Sequence, residues 1–189
     1  MKDSLKIIGA HGDRRKNDFY PTPKEATQAL VDFLKSHFLL RTNDIVWECA
    51  CGSNAMVDVL KDNGLLTWAT DIQKGQDFIT YEMQEPFDWI ITNPPFCLAE
   101  EFIKKAAVYG KPFAFLLKSQ YWHSAKRAAL FDEIKPTFVL PLTWRPDFTG
   151  AGASMLDMCW CVWIGKPFTT IYMPLKKPVA NKVSGGQGE

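Results

Sequence analysis

The chain has 189 residues, 47% of them apolar and 23% charged, with a formal net charge of +1. That length and balance fit one soluble globular domain with a core of its own. They exclude a membrane-spanning chain, since no apolar run is long enough to cross a bilayer, and they exclude nucleic-acid binding by bulk charge, so any such face must be built from local clusters.

Residues 1–17 read as a flexible basic arm around Arg14, Arg15 and Lys16, and residues 18–173 as a single α/β domain. The first helix opens at Thr22-Pro23-Lys24-Glu25, with Thr22 as N-cap, Pro23 in the first turn and Glu25 closing a capping box. Ala26, Ala29, Leu30, Phe33, Leu34 and Phe38 then recur at helical spacing. A strand follows at about 44–49, then a Gly-Ser-Asn turn into a helix that stops at Gly64, then a second strand at about 65–70. A third apolar run, Phe87 to Thr92, ends in Asn93-Pro94-Pro95-Phe96. Next come a helix from Ala99 to Tyr109, with Glu100/Lys104 and Glu101/Lys105 pairs on its wet side, a strand from Phe113 to Leu117, and a helix from Ser124 to Ile134. Two further strand runs, about 137–142 and 158–164, have no helix between them and predict an antiparallel pair that closes the sheet; residues 174–189 read as a disordered tail. The alternation of strand and helix predicts a mostly parallel sheet with helices on both faces and an antiparallel terminal pair. Ligands in such sheets sit at the carboxyl ends of the strands.

The five cysteines, Cys49, Cys51, Cys97, Cys159 and Cys161, are an odd number, and no secretory signal precedes them, so reduced thiols in the cytoplasm are expected. The two Cys-x-Cys pairs are too closely spaced for a structural zinc site, and no metal is predicted. His11, His37 and His123 belong to no catalytic constellation and are read as structural or solvated.

The chemistry gathers at three strand ends. Asn93-Pro94-Pro95-Phe96 makes a good strand-ending turn, and it also suits methylation of an exocyclic amine. Such an amine is a poor nucleophile because its lone pair is delocalised into an aromatic ring. The Asn93 side-chain oxygen and the Pro94 carbonyl can accept its two hydrogens, free the lone pair and stabilise the charge that grows on nitrogen. Pro95 keeps the loop out of a ladder, and Phe96 offers a face to a flipped base. Glu48-Cys49-Ala50-Cys51-Gly52-Ser53-Asn54 is an acid followed by a small-residue turn into a helix. It has a single glycine and no phosphate lysine, which suits a cationic cofactor better than a polyphosphate. Asp71 ends the second strand, where acids accept ribose hydroxyls, and Asp77 follows in a loop. Each of these acids also has an ordinary reading, as a turn cap or a solvated side chain.

Taken in order, this set resembles the S-adenosylmethionine-dependent DNA methyltransferases that act on adenine N6, over about residues 18–165. The motif order is similar to the γ arrangement, in the short form carried by bacteriophages and mobile elements. The resemblance implies a Rossmann-like methyltransferase fold, S-adenosyl-L-methionine as cofactor, and Asn93, Pro94, Pro95 and Phe96 as the catalytic motif. It implies a cofactor site from Tyr20, Thr22 and Pro23 of a Tyr-x-Thr-Pro-like segment, Glu48, Ala50, Gly52 and Asn54 of the acidic loop, Asp71 with Ile72, Asp77 with Phe78, and Asn93. DNA is the implied partner, in the cytoplasm of a bacterial or phage-infected cell. Arg14, Arg15, Lys118, Tyr121, Trp122 and Arg145 are the candidate contacts to it. The chain departs from the family in size. After Asn93 only 96 residues remain, with no room for a separate target-recognition domain, so the loop Thr143–Ser154 is the candidate for reading the target, and failing it the N-terminal basic arm, a second subunit or a partner protein. Two other readings stand beside this one: methylation of guanine N2 in RNA or of protein glutamine, and a non-catalytic binding module of the same fold.

Overall fold

The computed structural model describes residues 21–150, 152 and 156–179. The predicted arm, with Arg14 and Arg15, and Tyr20 lie outside the described residues.

Helix α1 (Lys24–Ser36) presents Ala26, Leu30, Val31 and Leu34 to the core. Its predicted capping box is not formed. Pro23 takes the cap position with extended backbone and no side-chain cap bond, which leaves the Thr22 hydroxyl for another partner. Phe38 also departs from expectation. The helix ends at Ser36, and Phe38 follows with φ 56° and 86% of its surface exposed. Strand β1 (Ile45–Glu48) leads to α2 (Ala55–Asp62), which packs on α1, and then to β2 (Leu66–Ala69). Residues 70–88 contain no further strand; they cross to β3 (Trp89–Thr92). Then come α3 (Ala99–Val108), β4 (Phe113–Lys118), a 3-10 turn at Ala125–Arg127 running into α4 (Ala128–Glu133), β5 (Phe138–Pro141) and β6 (Met158–Trp163). A two-residue strand absent from the sequence reading, β7 (Ile171–Tyr172), completes the set.

The sheet order is β2-β1-β3-β4-β6-β5-β7. Strands β2, β1, β3 and β4 are parallel, and β6 runs antiparallel to both β4 and β5. The expected antiparallel pair is present, with β6 inserted between β4 and β5. All four residues of β3 are buried, as are Phe113 to Leu117 of β4, because both faces of these central strands are covered. Successive side chains alternate between two cores. Ile91, Leu116 and Trp160 face α1 and α2, and the Trp160 indole N–H donates to the Ala26 carbonyl at 2.8 Å. Trp47, Ile90, Phe115 and Cys161 face α3 and α4. On α3 the Glu100–Lys104 pair forms at 2.7 Å, whereas Lys105 reaches across to Glu82 in place of Glu101. The packed region also runs past the expected boundary at 173: Leu175 is buried and bridges Leu142.

Candidate active site

Four parallel strands place four chain reversals along one edge of the sheet. Glu48 ends β1, Asp71 follows β2, Asn93 follows β3 and Lys118 ends β4.

Glu48 is 1% exposed. Its Oε1 accepts from the Ala50 backbone N–H at 3.1 Å and from the Thr92 hydroxyl at 2.5 Å. Its Oε2 meets no donor among the described residues. Burial pushes the Glu48 carboxyl up to about 7, against the pull of the Thr92 and Ala50 hydrogen bonds, and the charge of Asp71 adds to the rise. The turn after it is held open by its own backbone. Gly52 and Asn54 both take positive φ, 46° and 68°, the Cys51 N–H donates to the Thr70 carbonyl, and the Gly52 N–H donates to Asp71 Oδ2 at 2.8 Å. Asn54 stands at the N-cap of α2 without a side-chain cap bond, and its Oδ1 is buried without a partner. A cation lies closer to this loop than its sequence suggests, since Lys74 Nζ donates to the Cys51 thiol at 3.2 Å. Burial nevertheless pushes the Cys51 thiol up, and that of Cys49 still more.

Asp71 spends both oxygens on backbone: Oδ2 on Gly52 and Oδ1 on the Gln73 N–H at 2.8 Å, capping the short turn Ile72–Lys74. It therefore ties the loop after β1 to the loop after β2. Each oxygen keeps a second lone pair. Ile72 is exposed beside it. Asp77 Oδ1 accepts from the Ile79 N–H. Phe78 departs from its expected place at the cofactor. Its ring is 1% exposed and packs between Trp47 and Phe102, at centroid distances of 5.1 and 4.7 Å, so its apolar surface is spent on the core.

After β3, Asn93 is half-buried, and its Nδ2 donates to the Thr22 hydroxyl oxygen at 3.0 Å. That leaves Oδ1 buried and without a hydrogen-bond partner. The Pro94 carbonyl likewise meets no donor among the described residues, whereas the Pro95 carbonyl closes the next turn on the Leu98 N–H. Asn93 Oδ1 and the carbonyl of the next residue, Pro94, are thus two acceptors without a donor among the described residues. Lys118 Nζ lies 4.4 Å from the Phe96 ring centroid, a cation–π contact that covers one face of the expected stacking ring.

The rim after β4 differs from the nucleic-acid contacts expected there. Tyr121 is 6% exposed, lies edge-on to Trp122 and carries the Arg127 guanidinium over its ring at 4.2 Å. Trp122 packs on Phe131 and donates to the Cys161 sulfur. Both rings are lid packing, drawn in by the core under α3 and α4. The Tyr121 hydroxyl is buried without a partner, and burial raises its pKa to about 12. In the loop between β5 and β6, Arg145 is exposed and its Nε pairs with Asp157 at 2.8 Å. Asp147 shapes that loop by accepting from the backbone N–H groups of Thr149, Gly150 and Gly152. Among the described residues no group of acidic, His or Cys side chains is arranged to hold a metal.

Sequence reasoning passed over Thr92, which is fully buried and joins the end of β3 to Glu48. A hydroxyl at the end of the apolar run Trp89-Ile90-Ile91 was the available signal, because a buried hydroxyl needs a partner.

The sequence matches no protein-family model and no curated protein. Its structure does have neighbours. A candidate class I S-adenosylmethionine-dependent methyltransferase from Listeria monocytogenes superposes with a TM-score of 0.63 at 14% identity, over 87% of this chain and 68% of the other. A candidate RNA methyltransferase from Pyrococcus horikoshii superposes with a TM-score of 0.53 at 12% identity, over 84% and 93%. At these identities the likeness is one of architecture: the chain has the Rossmann-like fold of class I methyltransferases.

Proposed function

We propose that this chain is an S-adenosylmethionine-dependent methyltransferase acting on the N6 amino group of adenine in DNA. One observation carries the reading: Asn93 Oδ1, in the residue before Pro94, is buried and unpartnered, with its amide nitrogen anchored on Thr22. A buried acceptor without a partner costs about 1–3 kcal/mol, a cost that a donor brought by a bound substrate would recover. A primary amine brings two hydrogens, one for each acceptor. Holding them there turns the nitrogen lone pair away from the ring and leaves fixed dipoles facing the positive charge that develops on nitrogen. No strong base is required, because the proton leaves after the nitrogen has become cationic.

The residues of the neighbouring loop fit the cofactor. Glu48 Oε2 is an acidic acceptor free for an ammonium group, Asn54 Oδ1 is a second free acceptor, and positive φ at Gly52 holds the turn open between them. S-adenosylmethionine, when bound, supplies an electrophilic methyl group on a sulfonium. Asp71 has lone pairs to spare for ribose hydroxyls, and exposed Ile72 supplies an apolar flank for a base. Lys118, over the Phe96 ring, and Arg145, paired with Asp157, are the cations this reading assigns to phosphate.

A second acceptor class is favoured by one comparison, since the Pyrococcus neighbour is a candidate RNA methyltransferase of similar extent. Incubation with labelled cofactor and, separately, unmethylated DNA, RNA and protein tests the reading. Transfer to DNA supports it, and transfer to RNA or protein alone replaces it with the second.

A further inference from the structure

The proposed reaction needs Asn93 in one of two orientations. Its primary amide has an accepting end and a donating end, and a half-turn about χ2 exchanges them. With Oδ1 toward the site the amide accepts a hydrogen from the target amine. With Nδ2 there it meets that amine donor to donor. In the structure Nδ2 donates to Thr22 Oγ1 at 3.0 Å, which leaves Oδ1 as the end without a partner. Thr22 is itself 6% exposed, and Asn93 is the one hydrogen-bond partner of its hydroxyl among the described residues.

We infer that Thr22 is a positioning residue for catalysis, which presents and polarises the Asn93 side-chain oxygen; the inference rests on the amine-methyltransferase reading above. Two physical effects act together. With Thr22 Oγ1 as acceptor, the hydrogen bond holds the Nδ2 end and pins the amide plane. It also draws electron density through the amide, because donation from Nδ2 favours the resonance form with negative charge on Oδ1, and hydrogen bonds in a chain strengthen one another. The chain runs from the target amine to Asn93 Oδ1, and from Asn93 Nδ2 to Thr22. This accounts for the unformed capping box: a threonine one residue before the cap position has its hydroxyl turned to the strand end 71 residues away.

A double-mutant cycle separates this role from a structural one. Thr22→Val keeps the shape and removes the hydroxyl. In the Asn93 protein it lowers kcat at saturating cofactor by tenfold or more, and Thr22→Ser restores the rate to within about threefold of wild type. Asn93→Asp has two equivalent acceptor oxygens and nothing to misorient, so in that background Thr22→Val changes kcat by threefold or less. A second readout is independent of turnover. In ¹⁵N-labelled cofactor-free protein, Thr22→Val shifts the Asn93 side-chain amide resonances and speeds their hydrogen exchange, and Thr22→Ser restores both. An equal loss of kcat in both backgrounds, or Asn93 amide resonances unmoved by Thr22→Val, would overturn the inference. Absence of transfer by the wild-type chain to DNA, RNA and protein would refute the methyltransferase reading itself, whereas wild-type transfer with an additive cycle refutes only the role of Thr22.

Discussion

Replacing Glu48 by glutamine is predicted to stabilise the cofactor-free protein and, at the same time, to weaken its hold on S-adenosylmethionine. Burial raises the Glu48 carboxyl from an ordinary 4.5 to about 7. A folded-state value above the unfolded one means that the folded protein holds the proton more tightly. The stability linked to that proton is fully present below about pH 4.5 and is lost as pH rises through 7. At about 1.4 kcal/mol for each pH unit, ionised Glu48 costs the fold on the order of 3 kcal/mol at pH 8. Glutamine keeps an oxygen for Thr92 and Ala50 and carries no charge. Thermal unfolding at pH 8 should therefore give a Tm for Glu48→Gln roughly 6–12 °C above wild type, and the difference should shrink towards zero at pH 5. The cofactor reverses the preference. In the proposed reading its ammonium pairs with the ionised carboxylate, and losing a charged hydrogen bond costs about 1.5–3 kcal/mol, so Kd at pH 8 should rise roughly 10- to 150-fold by calorimetry. Wild-type affinity should also climb between pH 6 and 8, with proton release, and the variant's should not. A Glu48→Gln protein less stable than wild type at pH 8, or one that binds cofactor as tightly, would refute this account of the buried acid.

Asn93→Ala should lower turnover on the order of 10²–10³-fold while cofactor affinity, measured by calorimetry, stays nearly unchanged, since the proposed reading assigns the lost oxygen to the target amine. Asp71→Ala should show its two duties separately: lower stability by roughly 3 kcal/mol in denaturant titration without cofactor, from two charged hydrogen bonds to backbone, and weaker cofactor binding by about 1–3 kcal/mol. Arg145→Ala should weaken DNA binding uniformly across sequences and lower the salt slope by about 1 if the free end of its guanidinium holds a phosphate; a change in the methylated sequence pattern would instead make it a base reader.

The parts of the site that a short stretch of sequence specifies were legible before the fold. Glu48, Gly52, Asp71 and Asn93 stand at strand ends because apolar runs stop there, and a parallel sheet brings such ends together. What escaped the reading depends on contacts between distant segments. Thr22 fits an N-cap locally, yet its hydroxyl bonds a residue after β3. Phe78 and Tyr121 lie in loops, where rings are as readily ligand surfaces as core, and only the fold shows the buried aromatic layer that takes them in. Strand β7, two residues long, is too short for any periodic signal, and the burial of Leu175 follows from its pairing with Leu142.

Identification of the methylated product tests the central claim most directly. The wild-type chain is incubated with methyl-labelled S-adenosylmethionine and unmethylated DNA, the DNA is digested to nucleosides and the labelled nucleoside is identified, with Asn93→Ala in parallel. The account predicts label in N6-methyldeoxyadenosine, reduced by two orders of magnitude or more with the variant. Label confined to another nucleoside, to RNA or to protein glutamine, or equal transfer by Asn93→Ala, would contradict it.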